Sequence, residues 1–457
     1  MLKNMLFFYI FSFSSSFVLT ILSAQCVCSC YVKKYREVPF MQKMRIIFVV
    51  LCSIVIGSML WYWSPQTHAE SKEFIPVGIL HSFTGIMSSM EPNAVDAVML
   101  AIDEINARGG VLGKKIKPIT FDGASNWDLF AVGAEKLITE DKVVAIFGCW
   151  TSASRKAVLP ILEKHDSLLM YPLQYEGLEE SPYIFYLGAT VNQQITPGIV
   201  WSFQNLGKSF FLVGSDYIYP RASYAVAKDV IKALGGTILG EEYIPLGSKN
   251  VDHIIAKIKE TKPAVILNNL VAESNIPFFE QLRKAGITPE KIPTMSFAFA
   301  EIDLQHLNIN TMLSDYTAFN YFQSIDRKEN KQFIENFQKR YGKERLLSDY
   351  MAVAYFGVYL WAQAVEEAQT TDPRIVRKHM PNQSFNSPEG IVSIDSHNQH
   401  AWRTSRIGKI QSDGQYGIVW TSERPIEPVP YPPSRTKEEW NALLQNLYET
   451  WGKKWSA

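Results

Sequence analysis

From Ile75 onward the chain alternates short apolar runs with amphipathic stretches, and that rhythm restricts the fold more than any single motif within it. Residues 75–80 read as a strand. Residues 94–108 then place Val95, Val98, Ile102 and Ile105 on one helical face and stop at Gly109-Gly110. Strand 116–122, helix 126–141, strand 143–147, helix 151–165 and strand 167–171 follow. A second series begins with strand 183–187 and helix 192–206. It runs on through strands at 209–214, 237–243, 264–267 and 293–297, with helices at 220–234, 251–261 and 276–285 between them. Short β/α repeats of this kind predict an α/β fold of doubly wound, mostly parallel sheets with helices on both faces. Two series predict two lobes.

The rest of the chain reads as helices within 331–368, antiparallel edge strands within 390–422, a proline-rich strap from Pro425 to Pro433 and a last helix at 437–451. The expected division is an N-lobe of residues 74–190 with about 300–375, a C-lobe of 191–299 with about 376–435, and a C-terminal helix within 436–457.

Residues 1–69 have a different character. Neither 5–32 nor 46–63 contains a charged residue. Lys43 and Arg45 precede the second stretch, and Thr67-His68-Ala69 supplies small residues after it. This is the pattern of a signal peptide with the mature start near residue 70. The second stretch is also long enough to serve as a retained membrane anchor. Either reading, with the basic loop from Lys33 to Arg45 held inside, exports everything that follows to a periplasmic or other extracytoplasmic location. Cys26, Cys28, Cys30 and Cys52 all fall in this leader, which leaves Cys149 alone in the exported part and excludes an internal disulfide there.

With 45 Lys+Arg against 45 Asp+Glu and 47% hydrophobic residues, the chain is globular and lacks the basic footprint of a nucleic-acid partner. Enzyme chemistry finds little support. Cys149 has no neighbouring His and reads as a buried small hydrophobe. His397 and His400 fall in a polar turn without a third ligand and read as solvated. The glycines from Gly109 to Gly113 follow a helix and lack phosphate-loop spacing, and Ser152 lacks the flanking glycines of a nucleophile elbow. No catalytic residue, metal site or cofactor is expected.

Ligands in open α/β sheets sit beyond the carboxyl ends of the strands, here the loops 81–91, 122–126, 148–154, 171–177, 215–221, 268–275 and 297–301. Thr151 and Ser152 open a helix, where free backbone NH groups and hydroxyls meet a carbonyl or carboxylate. Trp150, Tyr171, Tyr175, Tyr217 and Tyr219 supply flat walls with polar tips. Glu273 and Glu301 are placed to accept NH bonds from an amide. Arg155 and Lys156 fall inside a helix and are expected to face away from the cleft, which leaves the site without a cation and favours a small neutral ligand.

Several long motifs carry a resemblance. They include Val77-Gly78-Ile79-Leu80-His81-Ser82, Ala101-Ile102-Asp103-Glu104-Ile105-Asn106, Phe147-Gly148-Cys149-Trp150-Thr151-Ser152, Arg155-Lys156-Ala157-Val158-Leu159-Pro160 and Tyr171-Pro172-Leu173-Gln174-Tyr175-Glu176-Gly177. Over nearly all of 74–432 the chain resembles the urea-binding proteins of urea ABC transporters. Gly214-Ser215-Asp216-Tyr217-Ile218-Tyr219-Pro220-Arg221 is similar to the related amide sensors. The resemblance implies the type I periplasmic binding protein fold, whose two lobes close on a ligand. It implies that Trp150 and Ser152 pack against a bound amide, that Tyr171 and Tyr217 line the site, and that Gln174 follows the urea-type pattern. Glu273 takes the place of an Asp in the urea-type Gly-Asp-Ser-Asn. The implied function is an extracytoplasmic protein that closes on urea or a short-chain amide and presents it to an ABC transporter permease. The alternative is a membrane-linked sensory receptor component for amides or amino acids.

Overall fold

The computed structural model describes residues 74–457 and, before them, Met44, Val49, Leu51 and Ser53, each helical and exposed. The expected signal or anchor within 1–69 otherwise lies outside the described residues. Among the described residues no helix is long and apolar enough to cross a membrane.

The first lobe begins β1 (Phe74–His81), α1 (Glu91–Ala107), β2 (Lys115–Asp122), α2 (Trp127–Thr139), β3 (Ile146–Gly148), α3 (Ser152–His165), β4 (Leu169–Tyr171) and β5 (Ile184–Tyr186). These strands form a parallel five-stranded sheet in the order β2-β1-β3-β4-β5. Val77, Ile79 and Leu80 of β1 are all buried, without alternation, as a strand covered on both faces requires. Asn126 starts α2 by accepting bonds from the amides of Asp128 and Leu129.

The second lobe takes α4 (Ile195–Asn205), β6 (Ser209–Ser215), α5 (Ile218–Ala233), β7 (Thr237–Ile244), α6 (Asp252–Thr261), β8 (Val265–Asn269), α7 (Asn275–Lys284), β9 (Thr294–Ser296), α8 (Glu301–Leu304) and β10 (Tyr316–Phe319). The chain returns to the first lobe for α9 (Lys328–Tyr341), α10 (Asp349–Ala368), α11 (Pro373–His379) and the small antiparallel sheet β11 (Ser384–Ser387), β12 (Gly390–Ile394) and β13 (Ala401–Trp402). It crosses again for β14 (Arg406–Ile410) and β15 (Tyr416–Thr421), which complete a seven-stranded sheet, β15-β14-β10-β9-β8-β6-β7. Strands β6 to β10 run parallel there, β14 pairs antiparallel with β10, and β15 pairs antiparallel with β14. After the proline strap, α12 (Lys437–Thr450) ends the regular structure.

These crossings differ from the expected lobe boundaries at two places. Residues 316–319, expected in the N-lobe, hydrogen-bond into the second sheet because Tyr316 and Thr317 pair with Met295 and Ser296. Residues 384–402, expected in the C-lobe, lie against the first lobe, where Tyr186 bridges to His400 and Phe385 stacks on Tyr359 of α10 at 4.6 Å. Helix α10 is buried on nearly every side and sets Trp361 edge-on to Phe147 at 5.6 Å, so it is a core element of the first lobe despite its place late in the sequence.

Candidate functional site

Where β3 ends, a Cβ on Gly148 would stand 2.2 Å from the Leu80 carbonyl oxygen, so only glycine lets the two strand ends approach. Cys149 then adopts a positive φ of 59°. The turn delivers Trp150 to the gap between the lobes, edge-on to Tyr350 of α10 at 4.4 Å. Trp150, Ser152 and Gln174 from the first lobe face Tyr217, Tyr219 and Asp303 from the second across a narrow cavity of about 20 Å³, with Tyr350 and Phe319 closing the wall.

Five expected residues, Trp150, Ser152, Gln174, Tyr217 and Tyr219, therefore meet at one cavity, and Thr151, Tyr171, Tyr175, Glu273 and Glu301 do not. Thr151 is the N-cap of α3, its hydroxyl accepting from the Ser154 amide at 3.0 Å. Tyr171 is buried behind the wall, where its hydroxyl donates to the Trp150 carbonyl at 2.8 Å and fixes that backbone. Glu273 lies half-exposed, 3.3 Å from Lys249, because Ala272 takes a positive φ of 59° in the preceding turn. Glu301 is buried off the lining, accepting from the Gln323 amide at 2.9 Å with its second oxygen unpaired. Burial, helped by Asp349 and Asp303, pushes its carboxyl up to about 8.

Arg155 lies off the cavity lining, as expected. It is fully buried behind Ser152, donating to Glu176 at 2.9 Å, Glu179 at 2.7 Å and the Ser152 hydroxyl at 3.0 Å. Its guanidinium lies over Tyr171 and Tyr175, 4.8 and 4.5 Å from the ring centres. Lys156 reaches Glu179 at 2.7 Å. Burial alone would raise the Glu179 carboxyl, but Arg155 and Lys156 outweigh it and hold Glu179 well below the carboxylate range. The Ser152 hydroxyl donates to Glu176 at 2.5 Å, so one of its two remaining acceptor positions is already taken by Arg155. Arg155 thus faces away from the cavity into a buried ion network whose carboxylates consume its charge.

The polar groups left free on the wall are Gln174 Oε1 and the hydroxyls of Tyr219 and Tyr350, buried and without partners among the described residues. Gln174 spends its amide nitrogen on the Phe297 carbonyl across the cleft at 3.3 Å. Asp303 accepts from the Ala300 amide at 2.7 Å, and burial pushes its carboxyl up to about 7. Asp303 lies two residues past the strand-end loop read from the sequence, and Tyr350 arrives from a helix with no such signal. His400, expected to be solvated, is instead buried and stacked on Tyr186 at 4.3 Å, with its imidazole pushed by burial down to about 3, while His397 is exposed. Among the described residues no cluster of His, Cys, Asp and Glu could hold a metal ion. Cys149 is buried, and burial pushes its thiol up.

The fold and this interlobe cavity define a two-lobed solute-binding protein. Residues 75–437 match the model of the periplasmic binding protein domain, and the chain belongs to that family. It is 22% identical to Leu/Ile/Val-binding protein homolog 7 of Brucella abortus, over 80% of this chain and 96% of that one. A solute-binding protein of an ABC transporter from Rhodopseudomonas palustris, solved with 3,4-dihydroxy benzoic acid, superposes with a TM-score of 0.72 at 23% identity, covering 78% of this chain and 99% of the other. A stretch of 115 residues is 40% identical to limonene hydroxylase of Geobacillus stearothermophilus. That stretch is 25% of this chain and spans only 21% of the hydroxylase, so the activity in that name stays with that protein. The chain is thus a non-enzymatic, extracytoplasmic solute-binding protein.

Proposed function

We propose that the ligand is urea or a short-chain amide, held by Trp150, Ser152, Gln174 and Tyr217 with Tyr219, Asp303 and Tyr350, and passed to an ABC transporter permease. One observation carries the reading: the lining contains no Lys, Arg or His, and Asp303 is its one ionisable acid. An amide NH2 group has acceptors in Gln174 Oε1 and the Asp303 carboxyl. Its carbonyl has donors in the tyrosine hydroxyls. A leucine or benzoate carboxylate, as the names of the relatives suggest for them, would enter here without a cation to offset its desolvation. The alternative, a membrane-linked amide sensor, is favoured by the uncharged stretch 46–63, long enough to be a retained anchor.

Calorimetric titration of the purified chain with urea, acetamide, leucine and 4-hydroxybenzoate tests the ligand class. Binding of urea or acetamide is expected. Saturable binding of leucine or 4-hydroxybenzoate with none of either amide would overturn it.

A further inference from the structure

After α12 the chain reverses. Gly452 and Lys453 take positive φ values of 63° and 64°, and the Lys453 amide donates back to the Tyr448 carbonyl at 2.9 Å, the close of a helix by left-handed residues. The reversal brings Trp455 onto Tyr448 at 4.5 Å and sends the next residues toward the cleft. There the segment pairs with the loop that carries Tyr217. The Ile218 amide donates to the Trp455 carbonyl at 3.1 Å, the Ala457 amide to the Asp216 carbonyl at 3.1 Å, and Tyr217 and Ser456 form an antiparallel bridge. This is strand addition to a second-lobe ligand loop.

Two of these residues, Trp455 and Ser456, also hold the first lobe. Trp127 Nε1, at the start of α2, donates to the Ser456 hydroxyl at 3.3 Å, and the Lys156 ammonium of α3 lies 4.7 Å from the centre of the Trp455 ring. Opening the cleft moves Trp127 and Lys156 away from Asp216–Ile218, so these contacts exist only while the lobes are together.

We propose that Trp455–Ala457 is a latch: it rides on the Tyr217 loop of the second lobe and fastens it to the first, so that it positions a cavity wall and sets how often the cleft opens. The latch follows from the contacts and the two-lobed fold, whatever the ligand. Loss of either the hydrogen bond or the cation–π contact, each of modest strength, speeds opening by up to roughly tenfold.

The test uses the full chain carrying Ala298→Cys, a half-buried position on the cavity wall. Its rate of labelling by a small maleimide is read by mass spectrometry of the peptide containing position 298, which separates it from the leader cysteines. The rate is expected to rise by up to roughly tenfold on adding Trp455→Ala, and comparably on adding Trp127→Phe with Ser456→Ala, which removes the hydrogen bond while keeping the aromatic ring. The paired conservative change keeps the test valid if Trp455→Ala fails to fold. Equal labelling rates in the reporter chain and the paired variant, fast or slow, would overturn the latch. Neither result depends on whether urea or an amide binds.

Discussion

Arg155→Met removes the cation from a site in which Glu176 is fully buried and Glu179 nearly so. Methionine fills much of the arginine's volume and leaves the two tyrosine rings an apolar neighbour, so packing loss is small and electrostatics decide the outcome. Glu179 keeps Lys156 at 2.7 Å. Glu176 keeps only the Ser152 hydroxyl, an uncharged partner. Breaking one side of a buried ion pair costs about 3 to 5 kcal/mol because the remaining charge is stranded in low dielectric, and that range is expected here. Adding Glu176→Gln neutralises the stranded group, so the double variant should recover about 2 kcal/mol relative to the sum of the single changes. Unfolding should be followed by heat at pH 7 with circular dichroism, since urea is a candidate ligand and would stabilise the state it is meant to destroy. A loss below about 1 kcal/mol for Arg155→Met, or strictly additive changes in the double variant, would refute the claim that this network is paired and dry.

Glu301 keeps a proton in the folded chain up to about pH 8 that an unfolded glutamate releases near 4.5. Its contribution is therefore complete below the unfolded value and lost as pH rises through 8, and Glu301→Gln should flatten that decline, making the variant about 2 to 4 kcal/mol more stable than wild type near pH 8 in calorimetric scans. Amide affinity should strengthen as pH rises through about 7, where Asp303 becomes a full acceptor, and Asp303→Asn should abolish this dependence in titrations at pH 6 and 8. Tyr219→Phe, which deletes an unpaired buried hydroxyl on the wall, should weaken amide binding by about 1 to 3 kcal/mol while leaving the melting temperature close to wild type. Glu273→Ala should alter neither quantity by more than about 0.5 kcal/mol, because its carboxylate is half-exposed beside Lys249.

The β/α order was legible because each strand is short, apolar and followed by an amphipathic helix; strand-end logic found Trp150, Ser152, Tyr217 and Tyr219, and the resemblance supplied Gln174. What escaped the sequence is of two kinds. Tyr350 and strand Tyr316–Phe319 reach their places by long-range crossings that local patterning does not encode. Arg155, Tyr171 and His400 are polar groups whose burial depends on partners elsewhere in the chain, on Glu176 and Glu179, on the Trp150 carbonyl and on the Tyr186 ring respectively. Periodicity shows the face of a helix, not whether a carboxylate from a loop will cover it. Glu273 was drawn to the site by its place in a motif, and one positive-φ residue before it turned it outward.

Helix α10 bears on how the protein is made. It covers the first lobe's sheet with Trp361 against Phe147, yet it follows the last strand of that sheet by more than a hundred and fifty residues. A chain threaded outward from its N-terminus therefore delivers all five strands of the first sheet, with α1 to α3 between them, long before α10 arrives to cover β3 and β4. The second lobe, whose strands β6 to β10 and helices α4 to α7 are contiguous, can begin to assemble earlier than the lobe that precedes it in sequence.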